Sequence, residues 1–266
     1  MQTVQSKDGT RIAYDQLGQG PVVILVGGAT TTRTDTRPLA EALAPHLTVL
    51  NYDRRGRGDS SDTAPYAVER EVEDIEALIA SAGPSAFLFG HSSGGVLALE
   101  AARRLSAKIT KLAVYEPPFI VDDSRPPMPT DYVAQLDAAT AAGRPGDALV
   151  IFVTQAVGMP TEVVQQMRAA PFWPTSEAVA HTIAYDGRIM GDSIYGSAAP
   201  LKKWRTVTIP TLVMDGGNSA DWMHHAADAV AAVLPNAQRR TLAGQDHGAA
   251  PEVLAPVLVD FFACES

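Results

Sequence analysis

Residues 85–105 read SAFLFGHSSGGVLALEAARRL. A short apolar run, Ala86 to Phe89, precedes a cluster of glycines and serines, and an apolar helix pattern follows from Val96 to Leu105. This order predicts a buried strand, a tight turn and a helix. Two explanations fit so many small residues at such a turn. Either a tight turn requires small residues, or the turn exposes one serine as a catalytic group.

The turn matches the pattern G-x-S-x-G, with Gly90, Ser92 and Gly94 at its fixed positions. Between a strand and a helix, this pattern predicts a nucleophilic serine on a strained backbone. A Cβ atom at either glycine would collide with the facing backbone. The helix that follows directs its N-terminus at the reacting carbonyl. We therefore predict that Ser92 is a nucleophile.

Strand patterns alternate with helical patterns on both sides of this turn. The predicted strands are residues 11–17, 22–26, 47–52, 86–89, 111–115, 211–214 and 239–242. Amphipathic helical patterns follow several of them, and one of these closes the chain between Val253 and Phe262. The alternation predicts an α/β fold, with a mostly parallel central sheet flanked by helices. Ligands are expected at the carboxyl ends of its strands.

The rhythm changes between Pro117 and Pro200, where prolines cluster and only helical patterns remain. We predict a core domain formed by residues 1–117 and 201–266, with residues 118–200 inserted as a helical lid (cap). The predicted substrate pocket includes apolar side chains of this lid: Phe119, Met128, Phe172 and Trp173. These apolar side chains favour a medium-sized, largely neutral substrate. The stretch from Pro117 to Pro200 carries nine acidic and four basic residues, and this negative charge argues against a strongly anionic substrate.

Composition excludes several classes of partner. The formal charge of −9 argues against nucleic acid and anionic membranes, because both require clustered Lys and Arg. No apolar segment reaches the length of a membrane span. Cys264 is the single cysteine, so no intrachain disulfide forms, and we expect no catalytic role for it. Together with the polar N-terminus, the single cysteine and the lack of an apolar span predict a cytoplasmic protein. No ligand cluster or dinucleotide motif is present, so no metal and no cofactor are expected.

The motifs together resemble the α/β-hydrolase superfamily over essentially the whole chain. They are VVILVGGAT (22–30), NYDRRGRGDSS (51–61), GHSSGG (90–95), PTLVMDGG (210–217) and GQDHGAAPEVLAPVL (244–258). The resemblance implies the chain order nucleophile, acid, histidine, with His247 as the base. It also implies an oxyanion hole formed by the backbone N–H groups of Ser93 and Gly28, with Ala29 as the fallback donor. Ala29 and His91 complete the predicted pocket.

The acid is less clear. In most of the superfamily it lies three residues after the glycine that ends the late strand, which here gives Ser219. Asp215 and Asp221 lie near that position without matching it. Glu116 follows the strand KLAVY and precedes two prolines. This arrangement and the paired serines resemble the zearalenone-degrading lactonases, a minority that take the acid from this strand. Glu116 is the favoured acid, and Asp215 and Asp221 remain alternatives.

These features predict a serine hydrolase of carboxylic esters that forms an acyl-enzyme on Ser92, with lactones as the favoured subclass. Two alternatives stay open. The same residues serve carbon–carbon bond hydrolysis or perhydrolysis, and the same scaffold serves a ligand-binding protein of low turnover. The expected partner is a small ester or lactone and, if the chain self-associates, a second copy in a homodimer.

Overall fold

A computed structural model describes residues 1–263, so Cys264 lies outside the described residues. Eight strands form one sheet: β1 (Gln2–Gln5), β2 (Arg11–Leu17), β3 (Val22–Val26), β4 (Thr48–Tyr52), β5 (Ala86–His91), β6 (Ile109–Tyr115), β7 (Thr211–Gly216) and β8 (Ala237–Leu242). Their order across the sheet is β1-β2-β4-β3-β5-β6-β7-β8. The pairs β1–β2 and β2–β4 are antiparallel, and the other neighbours are parallel.

Helices follow most of the strands. They are α1 (Arg33–Leu43), α2 (Val68–Ala82), α3 (Ser93–Arg104), α4 (Tyr132–Ala141), α5 (Pro145–Ile151), α6 (Thr161–Met167), α7 (Trp173–Ala178), α8 (Ile183–Met190), α9 (Asp221–Val233) and α10 (Pro251–Ala263). A π-helix, Phe152–Val157, extends α5. Within residues 1–263, no helix is both long and apolar enough to cross a membrane.

Side chains along the central strands point alternately to the two faces of the sheet, so the core has two layers. Ile24 and Val26 of β3 pack in the layer that contains α2, α3 and α9, whereas Val23 and Leu25 pack with α1 and α10. Strands that bury both faces read as continuous apolar runs, and this explains the sequence VVILV. The predicted fold class is therefore confirmed: a mostly parallel sheet with helices on both faces.

Residues 116–210 form the connection between β6 and β7. They contain five α-helices, α4 to α8, and no strand. Met128, Tyr132 and Met190 of this connection are buried in the same cluster as the α3 side chains. We call residues 116–210 the helical insertion below. It contains the whole of the predicted lid, residues 118–200.

Two elements of the fold are absent from the predictions. Strand β1 is polar apart from Val4 and pairs only with β2, so edge pairing forms it and an apolar pattern does not. Helix α1 begins in the polar stretch TTTRTDTR and contains Pro38. It buries only Leu39, Ala40 and Leu43, which is too short a stripe to show helical periodicity.

Candidate active site

Ser92 lies on the sharp turn between β5 and α3. Its backbone angles, φ 56° and ψ −130°, belong to a region that L-residues rarely occupy. A Cβ atom on Gly90 would lie 2.5 Å from the carbonyl oxygen of Gly94, and one on Gly94 would lie 2.3 Å from that of Val26. Both distances are far below van der Waals contact. The two glycines are therefore what allows the chain to turn so tightly at Ser92.

The hydroxyl of Ser92 is free for chemistry. Ser92 occupies the N-cap position of α3, where a serine side chain ordinarily accepts a hydrogen bond from the first turn. Here it forms no such bond, and within residues 1–263 its Oγ has no hydrogen-bond partner. The positive end of the α3 dipole lies beside it. The turn thus presents an uncommitted hydroxyl at the carboxyl edge of the sheet.

His247 lies in the loop between β8 and α10. Its Nδ1 donates a hydrogen bond to Oε2 of Glu116 at 2.7 Å. Because Nδ1 is held by the carboxylate, Nε2 is the ring nitrogen left to exchange a proton. His247 and Ser92 line the same cavity. The structure therefore brings together the predicted nucleophile, base and favoured acid.

Glu116 follows β6 directly, is fully buried and has φ 48°. Its Oε1 accepts hydrogen bonds from the backbone N–H of Gly216 at 2.8 Å and from the Ser219 hydroxyl at 2.5 Å. Burial alone would raise the pKa of this carboxyl, but the hydrogen bonds from His247, Ser219 and Gly216 outweigh it and hold the pKa below its ordinary value. Glu116 is therefore ionised and fixed in orientation.

Ser219 explains how the unusual acid is accommodated. It occupies the position where the resemblance places a carboxylate, and its side chain instead donates to the carboxylate that arrives from the neighbouring strand. Sequence reasoning identified the missing acid at 219 but not this hydrogen bond. A small hydroxylated residue at an acid position is the signal that points to it.

The two alternative acids are engaged elsewhere. Asp215 is buried and accepts hydrogen bonds from Nη1 of Arg239 at 2.7 Å and from Nδ1 of His224 at 2.5 Å. Asp221 is exposed in the first turn of α9. Within the described chain, neither carboxylate bonds to His247. The geometry supports neither as the partner of the imidazole.

The predicted oxyanion donors lie beside Ser92. Gly28 is buried in the loop after β3, and Ser93 is the first residue of α3. No carbonyl or side chain of residues 1–263 accepts a hydrogen bond from the N–H of Gly28, Ala29 or Ser93. Two unpaired N–H groups next to the nucleophile are what a tetrahedral oxyanion requires.

We expect Gly28→Ala to lower kcat by about 10- to 100-fold with little loss of folded protein. A Cβ atom at Gly28 would lie 2.9 Å from Cβ of Ser92, so the loop or the nucleophile must shift. Steady-state kinetics and circular dichroism measure the two effects. Gly83→Ala is the matched control, since an added Cβ there meets no atom within 4 Å. Equal activity in the two variants would contradict the placement of Gly28.

Four buried charged side chains lie next to the Gly28 loop, and two of them donate hydrogen bonds to its backbone. Arg54 and Arg57, from the turn after β4, both pair with Asp186 of α8 at 2.7 Å. Arg54 also pairs with Glu71 at 2.7 Å. Nη1 of Arg54, which bonds Asp186, also donates to the carbonyl oxygen of Gly27 at 3.3 Å, and Nη1 of Arg57 donates to that of Gly28 at 2.5 Å. We call these four side chains the buried ion cluster.

The buried ion cluster also joins the helical insertion to the nucleophile turn. The hydroxyl of Ser93 donates to Oδ1 of Asp186 at 2.8 Å. Burial would raise the pKa of Asp186, but Arg57 and Arg54 hold it below its ordinary value. Sequence reasoning assigned the arginines of DRRGRGD only to a turn. Arginines directly after a buried strand are the signal for this cluster, because such side chains need buried acids. Arg55, the third arginine of the turn, pairs with Asp74 and Asp8 outside the cluster.

A cavity of about 470 Å³ opens above Ser92. Its walls come from the helical insertion, the nucleophile turn, the loops after β3, β7 and β8, and the first turn of α9. They comprise Ala29, Ser92, Ser93, Glu116, Pro118, Ile120, Arg125, Met128, Tyr132, Phe152, Ala156, Val157, Asp186, Gly187, Met190, Ile194, Asn218, Ser219, Ala220, Trp222, Met223, Asp246 and His247. Of the predicted pocket residues, Ala29 and Met128 are among these walls.

The other four predicted pocket residues, in contrast to the prediction, are not among the walls of the cavity. Phe119 is fully buried and packs on Trp204, with ring centroids 5.2 Å apart. Phe172 is 50% exposed. Trp173 is buried, and its Nε1 donates to Glu177 at 3.1 Å. These three aromatic side chains therefore serve the packing or the surface of the helical insertion, whereas Tyr132 and Phe152 of the same insertion line the cavity.

His91, the fourth, supports the histidine loop instead of lining the cavity. Its Nε2 donates to the carbonyl oxygen of His247 at 2.8 Å, and the two ring centroids lie 4.7 Å apart. Burial and the neighbouring His247 lower the pKa of His91 to about 4. A neutral ring beneath the loop fixes the backbone of His247 without adding a charge next to it.

Comparisons with known proteins agree with this geometry. A model of the Alpha/beta hydrolase family matches residues 23–257. The crystal structure of an alpha/beta hydrolase from Sphaerobacter thermophilus is 56% identical, with a TM-score of 0.90, and the match covers 98% of this chain and 100% of that one. The enol-lactonase of Burkholderia xenovorans is 21% identical, with a TM-score of 0.73, over 99% and 100% of the chains. This second likeness shows the fold alone.

Curated relatives match over shorter segments. A pimeloyl-[acyl-carrier protein] methyl ester esterase of Xanthomonas campestris is 40% identical over 89 residues, which are 33% of this chain and 34% of the esterase. Across the first relatives found, the matched segments span 42% and 34% of the relatives' lengths. The family model, by contrast, spans most of this sequence. The chain therefore belongs to the alpha/beta hydrolase family, as its motifs predict.

Proposed function

We propose that this protein is a serine hydrolase of carboxylic esters and that lactones are its favoured subclass. One observation carries the proposal: an uncommitted Ser92 hydroxyl shares a cavity with a His247 ring whose Nδ1 donates to the buried carboxylate of Glu116. The methyl ester esterase among the curated relatives supports the reaction class. The residues that line the cavity leave room for a medium-sized acyl or lactone ring.

The proposed reaction has two halves. Oγ of Ser92 attacks the ester carbonyl carbon as Nε2 of His247 takes its proton. The carbonyl oxygen becomes an oxyanion, which the N–H groups of Gly28 and Ser93 stabilise. Collapse of this intermediate breaks the bond to the leaving oxygen, which receives the proton from His247. An acyl-enzyme remains on Ser92, and in a lactone the new hydroxyl stays attached to the acyl chain.

Water completes the cycle. His247 takes a proton from a water molecule, whose oxygen attacks the acyl carbon and forms a second oxyanion. Release of Ser92, reprotonated by His247, gives a carboxylic acid or, from a lactone, a hydroxy acid. Glu116 stays ionised throughout and stabilises the imidazolium through Nδ1. In this proposal the helical insertion acts as the lid that limits water access to the acyl-enzyme.

A fluorophosphonate probe and a substrate panel test the proposal. We expect the probe to label the wild-type protein on Ser92 and to leave Ser92→Ala unlabelled. Esters and lactones of medium size should turn over many times, whereas β-diketones should not. Stoichiometric binding without turnover, or cleavage of the diketones alone, would contradict the proposal and favour a ligand-binding protein or a carbon–carbon bond hydrolase.

A further inference from the structure

The walls of the cavity carry few charges, and most of these are paired within the protein. Glu116 pairs with His247, and Asp186 pairs with two arginines. Asp246 is exposed at the rim, where its Oδ1 accepts a hydrogen bond from the N–H of Gly248 at 2.9 Å. Arg125 is different. It is the one Arg or Lys among the lining residues, and no carboxylate within residues 1–263 forms a salt bridge with it.

The Arg125 side chain is held in place without being neutralised. Its guanidinium lies over the ring of Trp222, with Cζ 4.4 Å from the ring centroid. Its Nη2 donates to the carbonyl oxygens of Gln155 at 3.0 Å and Ala156 at 2.5 Å. These contacts come from α9 on one side and the π-helix on the other. They fix the plane of the guanidinium and leave its full positive charge.

Two donors of Arg125 remain free. Within the described chain, Nε and Nη1 have no hydrogen-bond acceptor, although Arg125 lines a cavity with mainly apolar walls. Burial lowers the pKa of Arg125, since the charged form has lost water without gaining an anion. An arginine still stays protonated in proteins. A fixed, partly desolvated cation with free donors is a strong receptor for a carboxylate.

We propose that Arg125 binds a carboxylate on the substrate, so that the preferred substrates are esters or lactones that carry a second, ionised carboxyl group. The scissile carbonyl would lie at Ser92 and the free carboxylate at Arg125, with the carbon chain against Met128 and Tyr132 between the two ends. This inference rests on the proposed function. It also revises the expectation of a largely neutral substrate, which came from the apolar side chains of the lid and from the net charge of the stretch from Pro117 to Pro200.

The local charge decides here because no acidic residue of the helical insertion forms a salt bridge with Arg125 within residues 1–263. Glu116 and Asp186, which also line the cavity, are paired with other side chains. Asp131 and Asp137 are exposed and Asp147 is partly exposed, and salt largely screens such charges beyond about 8–10 Å. Asp137 and Asp147 also pair with nearby arginines. A carboxylate in the cavity meets Arg125 at contact distance. Net charge over the segment is therefore a poor guide to the charge of the ligand.

Matched substrates and variants test the inference. Monomethyl esters of succinate, glutarate and adipate are compared with methyl esters of monocarboxylic acids of the same carbon number. Wild type should prefer the half-esters. Arg125→Met should lower kcat/KM for half-esters about 10- to 100-fold, mainly through KM, and change kcat/KM for the neutral esters by no more than about threefold. Arg125→Lys, which keeps the charge but not the planar fork, should fall between.

A binding measurement makes the test independent of turnover. Calorimetry on Ser92→Ala, with and without Arg125→Met, should show half-ester binding that the second substitution weakens by the same factor. Equal losses for charged and neutral esters would assign Arg125 to the packing of the insertion and overturn the inference. So would a wild type that prefers neutral esters. If Ser92 is unlabelled and no ester turns over, the proposed function fails, and half-ester binding alone still decides the role of Arg125.

Discussion

Glu116→Gln should lower kcat for ester hydrolysis about 10³- to 10⁴-fold in a protein that still folds. The reason lies in the two oxygens of the carboxylate. Oε1 accepts from Gly216 and Ser219, and Oε2 accepts from Nδ1 of His247. A glutamine has one oxygen, which the two donors on the Oε1 side would retain. Its NH₂ group would then face Nδ1 and favour the imidazole tautomer that carries its proton on Nε2.

That tautomer cannot take a proton from Ser92, so the loss should appear in kcat and less in KM. Thermal unfolding followed by circular dichroism checks that the fold persists. Asp215→Asn and Asp221→Asn are the matched controls, and each should keep kcat within about threefold of wild type. A large loss in Asp215→Asn, with near-normal turnover in Glu116→Gln, would show that the acid has been assigned to the wrong strand.

Asp186→Asn should reduce the free energy of unfolding by about 3–5 kcal/mol, the range for breaking a buried ion pair from one side. Arg54 would keep Glu71, but Arg57 would keep no carboxylate partner within residues 1–263. Burial and the neighbouring Arg54 already lower the pKa of Arg57. Removal of the Asp186 charge therefore leaves two guanidinium groups close together with half of their compensation. Urea denaturation measures the change.

Asp137→Asn is the control for this second prediction. Asp137 is also an aspartate of the helical insertion paired with an arginine at 2.7 Å, but its side chain is 48% exposed. An exposed pair contributes little, so the variant should lose less than about 1 kcal/mol. Equal losses in the two variants would mean that burial of Asp186 adds nothing. Retained stability in Asp186→Asn would show that the cluster does not hold the insertion to the core.

Most of the fold could be predicted from the sequence. Apolar periodicity predicts the central strands and several of the helices that follow them. The glycines around Ser92 mark the turn, because no larger residue fits there. Edge strand β1 has no such pattern, since backbone pairing with β2 forms it and only its Val4 packs against the apolar core. Glu116 was reached through resemblance and the gap at Ser219. The backbone N–H of Gly216 that also binds it leaves no trace in the sequence.

The cavity wall was harder to predict. Phe172 and Met128 have similar apolar character and lie in the same insertion, yet one is exposed and the other lines the cavity. Which side of a short helix faces inward depends on neighbours that an 83-residue irregular segment does not reveal by periodicity. Asp186 is likewise one of nine acids between Pro117 and Pro200. Only the folded chain places it beside Arg54 and Arg57.

The position of Glu116 at the end of β6 has a consequence for the connection between β7 and α9. The connection between β7 and α9 holds Glu116 through Gly216 and Ser219, while its neighbours Asn218 and Ala220 only shape the cavity. Variation at those two positions is uncoupled from the carboxylate that polarises the imidazole. A library randomised there should yield altered selectivity with an intact proton relay, a freedom that is lost when the acid sits on that loop.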